Sequence, residues 1–197
     1  MNNYHHGDLR TALLDAAGSI LQEKGVEGFS LRECARRAGT SHAAPAHHFG
    51  DTQGLLSEFA ALGFERMVAM MHGAREQAAP DAADQLRATG RAYIDFALAN
   101  RAAFQLMFRA DRLASGHARL DAARAAAFEE LRSALAALHG GTAPLAQLML
   151  AWSAVHGFAT LLLEQAADGI RQGQEVERFS QEMGDAVLAL LRKSLAP

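Results

Sequence analysis

Hydrophobic positions recur every three or four residues along almost the whole chain, which is the period of an α-helix. The first such segment runs from Asp8 to Lys24 and ends at Gly25, a residue that readily takes a left-handed conformation. Alternating strand patterns and internal repeats are absent from the sequence. The pattern therefore predicts an all-α protein. Beyond residue 51, helices are predicted over 52–77, 82–99, 101–108, 119–138, 143–167 (capped by Thr142) and 175–194, with 110–116 as a mobile connection and 169–174 as a polar loop.

Between the first helix and residue 52, two short helices are predicted to flank a three-residue turn. Ser30 and Glu33 have the spacing of a capping box, in which each side chain bonds the other residue's backbone N–H. The first helix then carries a small apolar face and ends at Gly39. Ser41 is predicted to cap a second helix that begins at His42 and tolerates Pro45 in its first turn. This is the pattern of a helix-turn-helix.

The second helix of such a motif can enter the major groove of DNA. Small side chains allow close approach to base edges, and His42 and His47 can hydrogen-bond bases or phosphates. The spacing alone also fits two ordinary short helices whose histidines are solvated.

The sequence resembles the TetR family of transcriptional regulators. The resemblance covers YHHGDLRTALLDAA at 4–17, Lys24-Gly25, FSLRECARRAGTSHAAP at 29–45, His48-Phe49 and Leu55-Leu56. A second segment, AWSAVHGFATLLLE at 151–164, is similar to the Trp-x-x-x-His-Gly motif in the C-terminal domain of one subgroup. The resemblance implies a three-helix helix-turn-helix domain over 1–51, with its motif at 30–49. It also implies a larger helical effector-binding and dimerisation domain over 52–197.

By this resemblance, the protein would be a dimeric repressor that a small molecule releases from a palindromic double-stranded operator. Two departures bear on its affinity for DNA. Ala46 stands where the family usually has a tyrosine, and Thr52 where it usually has a lysine, so two phosphate contacts are lost per subunit. Residues 1–60 hold five Lys/Arg against seven Asp/Glu, a formal charge of −2, which predicts weaker binding than in typical relatives. The predicted DNA-binding residues are Ser30, Arg32, Thr40, Ser41, His42, Ala43, Ala44, Ala46, His47 and Thr52.

The resemblance also implies an effector pocket in the C-terminal domain, for which aromatic, Met and His residues at helical spacing are the candidates. Packed core is the alternative for each of them. The pocket candidates are Phe104, Met107, Phe108, Met149, Trp152 and His156. Apolar and small residues on the last two long helices predict a twofold dimer interface. Its candidates are Leu150, Ala154, Gly157, Val176, Phe179, Met183, Val187 and Leu190.

The composition indicates where the protein is located and which functions are not expected of it. No uninterrupted apolar run reaches the roughly 18–20 residues that span a bilayer, and the N-terminus lacks an apolar signal core, so a cytoplasmic protein without membrane attachment is expected. The single cysteine, Cys34, lies on a predicted apolar face and is expected in the core. The adjacent pairs His5–His6 and His47–His48 have poor chelate geometry, so no metal site is predicted. A cofactor and an enzymatic activity are not predicted either. The remaining alternative is a helical interaction or ligand-binding protein with weakened or lost DNA binding.

Overall fold

A computed structural model of the protein describes residues 6–171 and 173–195, with the side chains of 6–8 left undescribed; Tyr4 and His5 of the matched N-terminal segment lie outside these residues. The described chain is helical throughout and contains no strand, as predicted. One 3₁₀ helix, Ala110–Arg112, lies between α6 and α7. The α-helices are α1 (His6–Lys24), α2 (Leu31–Arg37), α3 (Ala44–Phe49), α4 (Thr52–Gln77), α5 (Ala82–Ala99), α6 (Arg101–Met107), α7 (Ala118–Leu138), α8 (Leu145–Leu163), α9 (Asp168–Arg171) and α10 (Val176–Leu195).

The chain forms two compact units that are not simply its N- and C-terminal parts. The first contains the residues up to Phe64 together with Arg101–Arg124, and the second contains Glu65–Asn100 and the residues from Ala125 onward. Helix α4 contributes residues 52–64 to the first unit and the remainder to the second. The division into functional domains at 51/52 stays a prediction, since compact units need not follow functional boundaries.

The first unit is built on the apolar face of α1. Leu13, Ala17 and Ile20 recur at helical spacing and are fully buried, and they pack with Cys34 of α2 and Leu55 of α4. Burying a large aliphatic side chain completely stabilises the folded state by roughly 1.5–3 kcal/mol. This cluster therefore holds the two short motif helices, which are too short to be stable alone.

The second unit contains α5, α8 and α10 packed on one another, with two small apolar clusters between them. One cluster centres on Leu135, Leu148 and Leu195, and the other on Leu162 and Phe179. The packing of α5 is close because a Cβ placed on Gly90 would come within 2.5 Å of a Leu188 methyl group. The amphipathic pattern of α10 reflects this arrangement, with one face turned into the unit.

Two local predictions in the second half are wrong. Thr142 does not cap α8, because Pro144 is its N-cap residue at φ −60°, and the helix starts at Leu145. It ends at Leu163 rather than at residue 167, since Gln165 takes a left-handed φ of 57°. The predicted polar loop that follows contains the short helix α9.

Residues 110–116, predicted to be a mobile connection, are anchored instead. Ala110–Arg112 forms the 3₁₀ helix, and the backbone N–H of Ala114 donates to the buried Ser57 hydroxyl at 2.8 Å. Arg109 and Arg112 both pair with Glu27 in the turn that precedes α2. Polar side chains at both ends of the segment therefore tie it to the first unit.

Among the described residues, α8 is the one helix with the length and hydropathy to cross a membrane. Length and composition are shared by core helices of globular proteins, and α8 packs against α5 and α10. Only 28% of its apolar window is buried, so much of the helix surface is left apolar and accessible.

Candidate nucleic-acid interface

The turn between α2 and α3 has the geometry of a helix-turn-helix. Gly39 has a φ of 66°, and the N–H of Thr40 donates to the carbonyl of Ala35 at 3.0 Å, which closes the end of α2. Cys34 links α2 to α1, because its thiol donates a hydrogen bond to the Leu13 carbonyl at 3.2 Å. Burial raises the pKa of Cys34 to about 11, which keeps the thiol protonated and confirms its expected place in the core.

Only one half of the predicted capping box forms. The Ser30 hydroxyl accepts from the N–H of Glu33 at 3.4 Å, as expected of an N-cap. The Glu33 carboxylate instead accepts from Arg36 at 2.8 Å and from Arg37 at 3.0 Å. These two guanidinium groups lower the pKa of Glu33 to about 2, so ion pairing replaces the reciprocal bond.

The recognition helix α3 starts two residues later than predicted and has no side-chain cap. Its N-cap residue is Ala43, and Ser41 contributes its backbone carbonyl, which accepts from the N–H of Ala44 at 3.1 Å. The prediction that Ser41 caps a helix at His42 is therefore wrong. Pro45 at the second helical position supplies a preset φ where no intrahelical N–H bond is needed, and its ring is buried.

The surface of α3 and of the turn before it is exposed where DNA contacts were predicted. The exposed set is Ser30, Arg32, Ser41, His42, Ala43, Ala46 and His47, and the half-buried set is Thr40, Ala44 and Thr52. Seven of the ten predicted DNA-binding residues are therefore accessible, and whether they contact DNA stays a prediction.

Helices α3 and α4 meet at a junction that leaves no space for side chains. Gly50 has a φ of 80°, and Asp51 caps α4 by accepting from the N–H of Gly54 at 2.8 Å. A Cβ on Gly54 would overlap the carbonyl oxygen of Phe49, the last residue of α3. The junction therefore fixes the recognition helix directly against the first turn of α4.

Most of the charge beside α3 is neutralised within the first unit. Arg37 donates to Glu23 at 2.6 and 2.7 Å in addition to its bond to Glu33, and Arg36 is bidentate to Glu33. These pairs are solvated, so they contribute little to stability, yet they lower the positive potential of α2. Together with the formal charge of −2 on residues 1–60, these ion pairs weaken the positive field beside α3.

The second unit holds a separate cluster of aromatic and polar side chains. The Tyr93 hydroxyl of α5 lies 2.7 Å from Nδ1 of His156, and the His156 ring lies 5.9 Å from that of Trp152. Phe128 of α7 meets Trp152 edge-on at 6.4 Å. Burial lowers the pKa of His156 and raises the pKa of Tyr93, an effect that the hydrogen-bonded Trp152 side chain opposes, so both groups are neutral near pH 7.

Sequence reasoning found Trp152 and His156 but missed Tyr93 and Phe128. A tyrosine in the apolar register of α5 was a usable signal, because a buried phenol requires a hydrogen-bond partner. The other pocket candidates lie elsewhere. Phe104, Met107 and Phe108 belong to the first unit, where Phe108 meets Phe64 edge-on at 5.6 Å. Met149 is 44% exposed on α8.

Of the eight predicted interface residues, four are exposed, three are half-buried and one is buried. Val176, Met183 and Leu190 form a stripe that recurs every seven residues along α10, and they are 40%, 39% and 63% exposed. Phe179 points into its own unit against Leu162, so it does not lie on this stripe. On α8, Leu150 is 45% exposed, Ala154 is half-buried, and Gly157 faces open space; Val187 on α10 is half-buried.

No group of three or more His, Cys, Asp or Glu side chains in the described part of the chain could hold a metal ion. The rings of His47 and His48 are 5.5 Å apart and nearly perpendicular. His5 lies outside the described residues.

Two family profiles match the chain and together span most of it. Residues 13–59 match "Bacterial regulatory proteins, tetR family", and residues 86–193 match "Tetracyclin repressor-like, C-terminal domain". The chain belongs to the TetR family. Members of this family are DNA-binding transcriptional regulators and are generally not enzymes, which agrees with the prediction of a helix-turn-helix protein without catalytic residues.

Solved structures resemble the chain over nearly its full length. A protein of unknown function from Rhodococcus sp. RHA1 is 34% identical, with a TM-score of 0.76, over 99% of this chain and 97% of its own. The TetR-family regulator PfmR from Thermus thermophilus is 24% identical, with a TM-score of 0.61, over 90% and 97%. FadR from Bacillus subtilis, solved with stearoyl-CoA, is 13% identical, with a TM-score of 0.68, over 92% and 96%. No curated protein matches the chain.

Proposed function

We propose that this TetR-family protein is a cytoplasmic, dimeric repressor that leaves a palindromic operator when a small molecule binds its second unit. The observation that carries the proposal is the exposure of His42 and Ala43, just before α3, and of Ala46 and His47 on α3. The proposed reading of base edges uses the two imidazoles as hydrogen-bonding groups and the alanine methyl groups as contacts to thymine.

The proposed second copy binds the exposed apolar surface of α8 and α10. Leu150, Val176, Met183 and Leu190 expose large side chains there, whereas Gly157 and Ala154 leave room for a close helix crossing. The proposed dimer has two copies of α3, one for each half-site of a palindromic operator, whose half-sites lie about 34 Å or a multiple of that distance apart.

The proposed effector site lies around Trp152 and His156, with Tyr93 and Phe128 as further candidates. These four residues combine aromatic surface with a few hydrogen-bonding groups, the usual composition of a small-molecule site. The effector would act through α4, because this helix starts three residues after α3 ends and continues into the second unit. Release requires that the effector bind the two conformations with different affinities.

Selection from a random DNA pool, followed by titration of a labelled selected fragment at several salt concentrations, tests the proposal. We expect sequence-selective binding at low salt, with a shallow dependence of log K on log salt because few phosphates are contacted. Failure to select any sequence at low salt would contradict it.

The double substitution Ala46→Tyr and Thr52→Lys separates a weak regulator from a protein that has lost DNA binding. In a working regulator the two side chains should strengthen existing selective binding about tenfold, and the lysine should steepen the salt slope by about one. If the wild type binds no DNA and the double variant does, the protein is a helical interaction protein instead.

A further inference from the structure

Arg10 of α1 lies where α1, α3 and α4 meet. Its guanidinium carbon lies 4.8 Å from the ring centre of Phe49, the last residue of the recognition helix. A guanidinium over an aromatic face is attracted by the ring and resists sliding across it. The Arg10 side chain is 35% exposed, so this contact is partly shielded from water.

The other end of the contact is fixed by Glu58 of α4. Its carboxylate is only 13% exposed, and Oε2 accepts from Arg10 at 2.7 Å. The same oxygen accepts from Arg119 of α7 at 2.8 Å, and Oε1 lies 3.6 Å from Nε2 of His117. Two guanidinium groups therefore converge on one carboxylate oxygen, and the position of one depends on the position of the other.

We propose that Arg10 is a positioning residue for DNA recognition, which holds the C-terminal end of α3 through Phe49, and that Glu58 and Arg119 set where Arg10 stands. The inference rests on the proposed function, since it concerns the operator binding of this protein. This connection to α3 differs from the α3–α4 junction at Gly54. It runs from α7 through the side chains of Glu58 and Arg10 to the ring of Phe49. Arg119 thereby connects the start of α7 to the recognition helix inside the first unit.

A role in positioning differs from direct phosphate contact in its salt dependence. An arginine that binds a phosphate releases a counterion, so its loss reduces the salt slope by about one. An arginine that only orients α3 changes the affinity and the base preference but leaves the slope in place. Its effect must also depend on Phe49, since the ring is the contact through which it acts.

The test uses the full-length protein and a DNA fragment selected by the wild type. The variants are Arg10→Gln, Phe49→Leu, their combination and Arg119→Gln, with Arg132→Gln as a matched control that removes an exposed arginine paired with Glu129 on α7. Affinity is measured over a salt series, and urea unfolding reports stability. Arg10→Lys is added because it keeps the charge but loses the planar guanidinium.

We expect Arg10→Gln to weaken selective binding about threefold to fivefold with an unchanged salt slope, the size of one cation–π contact. Phe49→Leu should weaken the wild type by a similar factor but change the Arg10→Gln variant less than about twofold. Arg119→Gln should change the affinity in the same salt-independent way, whereas Arg132→Gln should leave it unaltered.

A drop of about one in the salt slope for Arg10→Gln would overturn the inference, because it would identify a phosphate contact. Strictly additive effects of Arg10 and Phe49, or equal effects of Arg119→Gln and Arg132→Gln, would also overturn it. A wild type that selects no DNA overturns both this inference and the proposed function, whereas selective wild-type binding unaffected by Arg10→Gln overturns this inference alone.

Discussion

The two compact units differ in how they present apolar surface to water. All ten of the large hydrophobic side chains that are markedly exposed in the described residues belong to the second unit, and seven of them lie on α8 and α10. The first unit has a surface of ion pairs, such as those on Glu27, Glu33 and Glu58. Contiguous exposed apolar surface in a globular protein indicates an interaction site. The comparison places the candidate interaction surface of the described residues on the second unit, where the dimer is proposed to form.

The largest effect is expected when charged side chains replace apolar ones on the exposed stripe of α10. Met183→Glu combined with Leu190→Glu should dissociate the proposed dimer, since two carboxylates would be buried without partners at the twofold axis. We expect the dimer to be weakened more than about a hundredfold, which sedimentation at several concentrations would show. Ala189→Glu is the control, because its side chain is exposed about 100° around the helix from Leu190. A double variant that remains dimeric, or a monomeric wild type, would contradict the account.

Two glycines of α4, one in each unit, allow the packing of the two units to be compared on a single helix. Gly54→Ala should destabilise the protein by about 1–3 kcal/mol, because the new Cβ must displace the Phe49 carbonyl, and it should abolish selective DNA binding. Gly73→Ala has open space around its Cβ and should be neutral or stabilising by up to about 1 kcal/mol. Urea unfolding and DNA titration of both variants measure this. Equal behaviour of the two would refute the close junction of α3 and α4.

Removing one hydroxyl tests the polar cluster of the second unit. Tyr93→Phe leaves Nδ1 of His156 without its 2.7 Å partner and should lower the free energy of unfolding by about 1 kcal/mol. Operator binding without effector should hardly change, since the predicted DNA-binding residues lie in the first unit. Thermal or urea unfolding gives the stability, and a large loss of DNA affinity would contradict the assignment of this cluster to the effector.

The smallest expected effect is a pH dependence from His156. Burial lowers its pKa in the folded state, so the unfolded state binds more protons below its ordinary value near 6.5, and stability falls as the pH drops through that value. His156→Gln should flatten the stability profile between about pH 5 and 7 relative to the wild type. A profile unchanged by the substitution would mean that His156 does not titrate on unfolding.

Sequence patterns predicted the helices and the helix-turn-helix because both depend on local signals. Gly25 and Gly39 take the left-handed φ expected of helix ends, and the inward faces of α1 and α2 form one core. Patterns failed where a nonlocal partner decided the outcome. Residues 110–116, for example, are anchored by Ser57 and Glu27, which no local period reveals. The capping box failed for a local reason, since Arg36 and Arg37 lie three and four residues after Glu33 and bind its carboxylate.

The candidate sites show the same limit. Trp152 and His156 could be singled out by their motif. The apolar register of α5 signals that Tyr93 needs a hydrogen-bond partner, but it does not reveal that the partner is His156, 63 residues along the chain. Phe179 has the spacing of the α10 stripe, yet it is buried against Leu162. Periodicity identifies apolar faces but does not distinguish a face that packs within the chain from one that remains exposed.

The size of the DNA site selected by the protein tests the central claim most directly. It depends both on DNA recognition by α3 and on the pairing of two copies of the chain. The wild type should select two inverted half-sites whose centres are about 34 Å apart or a multiple of that distance. The variant carrying Met183→Glu and Leu190→Glu should select a single half-site with much lower affinity. Identical palindromic sites and affinities for both proteins, or no selected sequence for the wild type, would contradict the account.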